Sequence, residues 1–170
     1  MQGDAASLEE LIRRHLPGVR RTVFQMVLDD ADADDVTQEV FLRAIRGLDG
    51  FDGRSKFSTW LFRISMNTAH THLRRRPKHR AAGGPEPAER PAKSQAAPDE
   101  RMMTVELAAD VQAALGCLSP ALRAALVLTA LRGMPPAEAA NLEQCSLSTM
   151  YWRIHEARKQ LRDQLKRYMT

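Results

Sequence analysis

The sequence has few aromatic residues, few cysteines and no long apolar run. Aromatic side chains make up 5% of the 170 residues, which is little for the core of a β-sandwich or β-barrel. Cys117 and Cys145 lack the paired spacing of a zinc or redox motif, so we expect two buried thiols, with a regulatory disulfide as the alternative. The longest apolar run, residues 124–131, is much shorter than the ~20 residues that cross a membrane.

Signals for secretion and for catalysis are missing as well. The first residues lack a basic start followed by an apolar stretch, so we expect a cytoplasmic protein with no membrane insertion of its own. No group of His, Cys, Asp or Glu has metal-binding spacing, and no nucleophile or phosphate-loop motif occurs. The sequence therefore predicts a protein that is not an enzyme and has no metal or cofactor.

Charge is nearly balanced in total but segregated along the chain. The 25 Lys and Arg against 21 Asp and Glu give a net charge of +4. An acidic run without an intervening base contains Asp29, Asp30, Asp32, Asp34, Asp35 and Glu39. Two basic clusters contain Arg63, Arg74, Arg75, Arg76, Lys78 and Arg80, and Arg153, Arg158, Lys159, Arg162, Lys166 and Arg167. Two separate contacts with a polyanion explain this pattern; the alternative is that the bases only keep terminal helices soluble.

Residues 77–100 divide the chain. They hold five of the nine prolines, a glycine pair and no large apolar residue, which is typical of a flexible linker. The flanking blocks, 1–76 and 101–170, both show helical periodicity without strand alternation. We therefore predict an all-α protein of two small helical domains.

The first block predicts three helical segments. Ser7 and Glu10 form a capping-box pattern, and Pro17 is expected to kink or restart the first helix. Asp32 is the predicted cap of a helix over 33–48. The apolar stripe of that helix is Val36, Val40, Phe41, Ala44, Ile45 and Leu48. A glycine-rich loop over 49–56 leads into a helix over 57–75.

The second block predicts a helix-turn-helix. A helix near 104–115 is followed by Ser119-Pro120, which caps and opens a helix that Gly133 ends. Pro136 opens a short helix, a turn over 143–145 follows, and Ser146 caps a last helix to about Lys166. A short helix, a tight turn and a longer basic helix indicate duplex DNA binding.

Three surfaces are candidates for function. Leu42 lies opposite the apolar stripe of its helix beside acids and an amide, which indicates protein docking; the alternative is an isolated surface leucine. Phe51 and the bases of 49–76 suit stacking and phosphate contacts with single-stranded nucleic acid, while Trp60 is expected in the core. In the last helix Ser148, Thr149, Tyr151, Trp152 and Arg153 lie off the apolar stripe, where a recognition helix reads the major groove.

Two parts of the chain resemble bacterial extracytoplasmic-function (ECF) sigma factors. Residues 34–44 (DDVTQEVFLRA) and 51–64 (FDGRSKFSTWLFRI), with Asn67 and the run 73–76, are similar to the promoter-melting domain of that family. Residues 118–161, through Gly133 and the predicted helix-turn-helix, are similar to its −35-binding domain. The resemblance covers both predicted domains in the family's order.

The resemblance implies partners and roles. The partners are core RNA polymerase, promoter DNA and an anti-sigma factor that covers both surfaces. The residues implied in polymerase docking are Asp35, Gln38, Glu39, Leu42 and Arg46. The residues implied in −10 recognition and melting are Phe51, Asp52, Arg54, Ser55, Lys56, Arg63, Asn67, Arg74, Arg75 and Arg76. The residues implied in −35 recognition are Ser146, Ser148, Thr149, Tyr151, Trp152, Arg153 and Arg158.

The second domain departs from the family pattern. The family usually has Gly where Gln144 stands, Lys and a small residue where Tyr151 and Trp152 stand, and a base where Glu156 stands. A non-glycine residue in the turn costs strain if the turn needs positive φ. Two alternatives to a sigma factor therefore stay open: an adaptor that uses the sigma fold, and a helix-turn-helix regulator with altered −35 recognition.

Overall fold

The protein is described by a computed structural model, which places residues 2–75 and 98–166. Every regular element in these two ranges is helical, and the chain divides into two compact units, Met1–Arg76 (unit 1) and Pro77–Thr170 (unit 2). The all-α class with two helical domains is therefore confirmed. Most of the predicted linker lies outside the described residues, but its last three residues, 98–100, already belong to a helix.

Unit 1 consists of three helices, each packed against the other two. α1 spans Gln2–Val27, α2 spans Asp30–Gly47 and is followed by a single 3-10 turn, Leu48–Gly50, and α3 spans Phe57–Arg75. The apolar side chains buried between them include Val19, Val23, Met26, Val36, Val40, Leu61 and Met66. Full burial of one such side chain stabilises the fold by about 2 kcal/mol.

α1 is continuous through Pro17, which is exposed. The carbonyl that loses its intrahelical partner at a proline can be hydrated at an exposed position, so the predicted restart is wrong. The predicted capping box is also wrong, since Ser7 lies inside the helix.

The junction between α1 and α2 differs from its prediction. Leu28 adopts φ +60°, which reverses the chain, and Asp29 then caps α2 by accepting a hydrogen bond from the Asp32 backbone N–H at 2.9 Å. The cap is therefore Asp29 rather than Asp32. The periodicity of α2 could not fix this residue because several aspartates stand at the helix start, and each can act as a cap.

Ile45 was placed on the buried stripe of α2, but 41% of its surface is exposed. It lines a shallow apolar groove with Leu8, Leu11, Ile12 and Phe41. The buried part of the stripe consists of Val36, Val40 and Ala44.

Within residues 98–166, unit 2 has four helices, and α7 packs against the other three. α4 spans Pro98–Cys117, α5 spans Pro120–Leu126 and continues as a π-helical turn, Val127–Leu131, α6 spans Pro136–Leu142, and α7 spans Leu147–Gln164. Ser119 caps α5 as predicted, and Gly133 at φ +66° follows its π-helical extension. α4 begins earlier than predicted, and α7 ends two residues before the predicted Lys166.

Arg123 joins α5 to the end of α4. Its Nε donates to the Leu115 carbonyl at 2.9 Å, and its Nη2 donates to the Gly116 and Leu118 carbonyls at 3.2 Å each. These carbonyls lie where a helix leaves its acceptors without internal partners. Burial lowers the pKa of Arg123 to about 10, so the guanidinium stays charged at neutral pH.

The turn of the helix-turn-helix adopts a positive φ, which is the condition under which strain was expected at Gln144. Gln144 lies at φ +52°, between α6 and the Ser146 cap of α7. A side chain in this region of backbone space costs roughly 1 kcal/mol or more relative to glycine. The prediction of buried thiols is wrong for Cys117, which is exposed, whereas Cys145 is half-buried; both are free.

Candidate protein-docking and nucleic-acid surfaces

The docking residues predicted on α2 share one face of the helix. Asp35, Gln38, Leu42 and Arg46 are exposed and Glu39 is half-buried. Their spacing of three and four residues places them in one row at the ~100° per residue of an α-helix. Leu42 lies within this row with 42% of its surface exposed, so an apolar side chain stands among polar neighbours on a rigid helix.

Most of the acidic run holds the fold together. Arg20 of α1 binds Asp34 at 2.6 Å and Asp30 at 2.9 Å, and these hydrogen bonds raise the pKa of Arg20 above its ordinary value. Asp29 is the cap of α2, and Asp32 lies 3.2 Å from Nε2 of His72 on α3. The acidic run therefore contributes Asp35 and Glu39 to the docking face, and its other members contact α1, α3 or the helix start.

Glu39 is held within the docking face by an arginine of the same helix. Its carboxylate accepts a hydrogen bond from Arg43 at 2.6 Å. That bond lowers the pKa of Glu39, and the charges of Arg43, Arg46 and Arg75 lower it further. α2, which carries the docking face, packs against α3, which carries the first basic cluster, so both surfaces belong to unit 1.

The loop before α3 is held in shape by its own polar groups. Asp52 accepts hydrogen bonds from the backbone N–H of Arg54, at 3.1 Å, and from the Arg54 guanidinium. Gly53 adopts φ +72°, which only glycine reaches without strain. Ser55 and Lys56 follow as exposed residues. The loop therefore presents Arg54, Ser55 and Lys56 in a defined conformation.

An aromatic cluster lies behind this loop. The ring of Phe51 is 5.2 Å from that of Trp60 and 5.7 Å from that of Phe57, and His15 of α1 packs on Phe57 at 5.2 Å. All four side chains are half-buried. Phe51, predicted to stack on a base, is packed against Trp60 and Phe57 here, so it anchors the loop and keeps part of its ring accessible.

The exposed residues of α3 form a polar row. Arg63, Asn67 and Arg74 are exposed and fall on one face, with about 16 Å of helix between the first and the last. Arg75 is exposed beside this row, and Arg76 lies outside the described residues. A row of this length matches the backbone of a few unpaired nucleotides, with cations for phosphates and an amide for a base edge.

The exposed face of α7 combines aromatic and basic residues. Tyr151 and Trp152 are 56% and 61% exposed, and the predicted Ser148 and Arg158 lie on the same face. The face also carries residues not predicted as site residues: His155, Lys159 and Arg162. Helical periodicity could have found them, since they follow Ser148 at spacings of seven, eleven and fourteen residues.

Three residues predicted to contact the −35 element make contacts within unit 2. The Ser146 hydroxyl accepts from the Thr149 backbone N–H at 3.1 Å and lies 2.7 Å from the Thr149 hydroxyl. Arg153 lies off the exposed face, 3.8 Å from the carboxylate of Glu143 in the turn. These side chains hold the start of α7 against the turn and α6.

No helix in the described parts of the chain is long and apolar enough to cross a membrane.

Family comparisons define the class of protein. Residues 11–79 match the family model of sigma-70 region 2, and residues 108–161 match that of sigma-70 region 4. The two models correspond to the two units in order. These are the regions of bacterial transcription initiation factors of the sigma-70 type.

Curated relatives give the family within that class. The chain is 33% identical to the RNA polymerase sigma-H factor of Pseudomonas aeruginosa over 93% of its own length and 86% of that protein. It is also 33% identical to the ECF RNA polymerase sigma-E factor of Escherichia coli over the same shares of the two chains. It is 35% identical to the ECF RNA polymerase sigma factor SigE of Mycolicibacterium smegmatis and spans 66% of that protein's length. The chain belongs to the ECF RNA polymerase sigma factor family.

Solved structures agree with this fold. The sigma factor RpoE in complex with the anti-sigma factor NepR, from Bartonella quintana, matches with a TM-score of 0.76 at 24% identity, over 94% of this chain and 97% of that one. CnrH in complex with the cytosolic domain of CnrY matches with a TM-score of 0.67 at 28% identity, over 97% of this chain and 91% of that one.

Proposed function

We propose that the protein is an alternative sigma factor that binds core RNA polymerase and directs promoter-specific transcription initiation. It acts in the cytoplasm as an initiation factor with no catalytic activity of its own. The observation that carries the proposal is that one compact unit combines an exposed docking row on α2 with an exposed polar row, rich in arginine, on α3, and that these two helices pack against each other.

Polymerase docking is assigned to Asp35, Gln38, Glu39, Leu42 and Arg46. Leu42 supplies the apolar contact, because a half-exposed leucine loses water when a partner covers it. The charged side chains around it are partly screened by solvent, so they set the orientation and the rate of docking more than the affinity. Arg43 donates a hydrogen bond to Glu39 and holds its carboxylate in place.

Strand opening is assigned to the loop before α3 and to the polar row of α3. An unpaired base is captured at the loop, where Phe51, Arg54, Ser55 and Lys56 surround the entrance to α3. The phosphates that follow are held by Arg63 and Arg74, with Asn67 between them. The chain therefore opens DNA by binding its unpaired strand, and no covalent bond is broken.

Recognition of the −35 element is assigned to unit 2. α7 is the recognition helix, and its exposed face enters the major groove. Ser148 and Arg158 contact phosphates or bases from this face, whereas Ser146, Thr149 and Arg153 support the helix through their contacts within the unit.

Control by an anti-sigma factor completes the proposal. A partner that covers Leu42, the polar row of α3 and the exposed face of α7 would block binding of both polymerase and DNA. The relative RpoE, which shares the fold over nearly the whole chain, is solved in complex with the anti-sigma factor NepR.

The test is run-off transcription with purified core polymerase, the full chain and a library of genomic promoters. We expect transcripts that depend on the added chain and start at a common set of promoters. If the chain binds duplex DNA alone and adds no transcript with polymerase, it is a helix-turn-helix regulator instead. Binding to polymerase without transcripts from any promoter identifies an adaptor.

A further inference from the structure

The exposed face of α7 is unusual for a surface in contact with water. Tyr151 and Trp152 are adjacent, and each has more than half of its surface exposed. They stand in the first two turns of the helix, directly after the Ser146 cap. Large aromatic side chains exposed together on a rigid helix indicate a contact surface.

The charge of the same face indicates that the occupant is DNA. Arg158, Lys159 and Arg162 continue the row of Tyr151 and Trp152 along α7, and Ser148 precedes it. Glu156 lies off this row and accepts a hydrogen bond from Gln160 at 2.8 Å. The face is therefore aromatic at the start of the helix and basic toward its end, which suits bases first and phosphates next.

The chemistry of the two rings restricts what they can read. Neither ring has the paired donors that bind the O6 and N7 acceptors of guanine, and Arg153, which has them, is turned toward Glu143. The apolar group that a base pair presents in the major groove is the C5-methyl of thymine. An aromatic ring that buries this methyl removes apolar surface of both partners from water.

We propose that Tyr151 and Trp152 determine the −35 specificity of this protein by packing against thymine methyl groups in the major groove. This inference rests on the proposed function of the chain as a sigma factor. It predicts a −35 element with thymines opposite the first two turns of α7. An arginine at these helix positions would select guanine instead.

The test replaces thymine by deoxyuridine, which removes only the methyl group. Holoenzyme made of core polymerase and the full chain first selects promoters from a library with a randomised −35 region. Thymines are expected at fixed positions of that region. Replacing two of them by deoxyuridine should weaken promoter binding about tenfold, since each methyl contact contributes a few-fold. The same replacement in the spacer should have no effect.

Variants connect the effect to the two rings. Tyr151→Ala with Trp152→Ala should bind the selected promoter about tenfold more weakly and lose its sensitivity to deoxyuridine, and Tyr151→Phe should keep it. The matched control is Leu131→Ala, at a 50% exposed apolar residue outside α7. Unchanged melting temperatures show that the variants fold, because all the substituted side chains are exposed.

The outcomes separate the inference from the proposed function. Transcripts from selected promoters without thymine enrichment, or with equal binding of deoxyuridine templates, overturn the inference and leave the sigma function intact. Aromatic variants that bind the promoter normally but lose a protein partner overturn it in favour of a protein-binding face. Failure to select any promoter overturns the proposed function itself.

Discussion

Units 1 and 2 differ in how they build the surfaces that we propose to bind nucleic acid. In unit 1 the surface is assembled from a loop and a helix, and it depends on the aromatic cluster behind the loop and on the Asp52–Arg54 contact. In unit 2 the surface is a single face of α7, which depends on the Ser146 cap and on packing against the other helices. The arrangement of the first surface thus depends on tertiary contacts, and that of the second depends on helical periodicity.

The two units also differ in how many of their clustered charged residues make contacts within the fold. In unit 1 the acidic run was predicted to be a binding surface, but most of its residues make contacts within the fold. They pair with Arg20, lie beside His72 or cap α2. In unit 2 Arg158, Lys159 and Arg162 of α7 lie on its exposed face, whereas Arg153 faces Glu143 and Arg123 is buried. A run of like charges in the sequence therefore predicts a binding surface only after the residues that make contacts within the fold have been excluded.

The largest expected effect concerns the docking face. Leu42→Arg should weaken binding to core polymerase about 30-fold or more, because it replaces the exposed apolar contact by a charge that must be desolvated. Calorimetry or fluorescence anisotropy with labelled chain measures the affinity. Leu16→Arg is the matched control, as Leu16 is an equally exposed leucine that lies on α1, outside the row. Normal affinity of folded Leu42→Arg contradicts the docking assignment.

The next effect tests the buried cation of unit 2. Arg123→Met should lower the free energy of unfolding of unit 2 by about 3 kcal/mol, since three carbonyls at the end of α4 lose their charged donor. Urea denaturation followed by circular dichroism measures it. The exposed Arg158→Met should change stability by less than about 0.5 kcal/mol. Equal stability of the two variants would show that Arg123 is not required for the fold.

The basic row of unit 1 is tested by salt dependence. Arg63→Gln with Arg74→Gln should reduce the slope of log affinity against log salt, for single-stranded −10 DNA bound to holoenzyme, by about 1.4, or 0.7 for each lost phosphate contact. The control pair, Arg13→Gln with Arg14→Gln, removes two exposed arginines of α1. An unchanged slope in the first variant places the phosphates elsewhere.

A smaller effect concerns the turn of unit 2. Gln144→Gly should raise the free energy of unfolding by roughly 0.5–1 kcal/mol, because φ +52° is free of side-chain strain for glycine. Thermal denaturation detects this change. Gln160→Gly, within α7, should instead lower stability by about 1 kcal/mol. A loss of stability in both variants contradicts a strained turn.

The smallest effect concerns the ion pairs between α1 and α2. Arg20→Met should lower the stability of unit 1 by about 0.5–1 kcal/mol at low salt, since Arg20 and its two partners, Asp30 and Asp34, are substantially exposed and solvent screens them. The difference from wild type should shrink in 1 M salt. A difference that does not depend on salt means that packing of the side chain, rather than charge, holds the helices.

Much of the fold follows from the sequence. Helical periodicity predicted α2 and α3 to within a few residues, and cap chemistry predicted Ser119 and Ser146 as helix caps. Strain at Gln144 was expected only if its turn needs a positive φ, and the structure has φ +52° there. The cap of α2 was missed because several adjacent aspartates can each act as the cap. The continuity of α1 was missed because the exposure of Pro17 depends on tertiary packing. The exposure of Cys117 was missed for the same reason.

The candidate site was predictable in part. The row of α2 around Leu42 and the face of α7 follow from spacing alone. The withdrawal of Arg153 toward Glu143 and the packing of Phe51 on Trp60 depend on contacts between elements, which spacing does not specify. The roles of these residues toward polymerase and promoter DNA stay predictions until they are measured.

Strand opening by the holoenzyme is the most direct test of the central claim, that unit 1 docks on polymerase and opens the promoter. Permanganate modifies unpaired thymines, so its reactivity over the −10 region reports the open complex on a selected promoter. We predict reactive thymines with core polymerase and the wild-type chain, and none with Leu42→Arg at the same concentrations. A −10 region that stays unreactive with wild-type holoenzyme bound to the promoter would contradict the account.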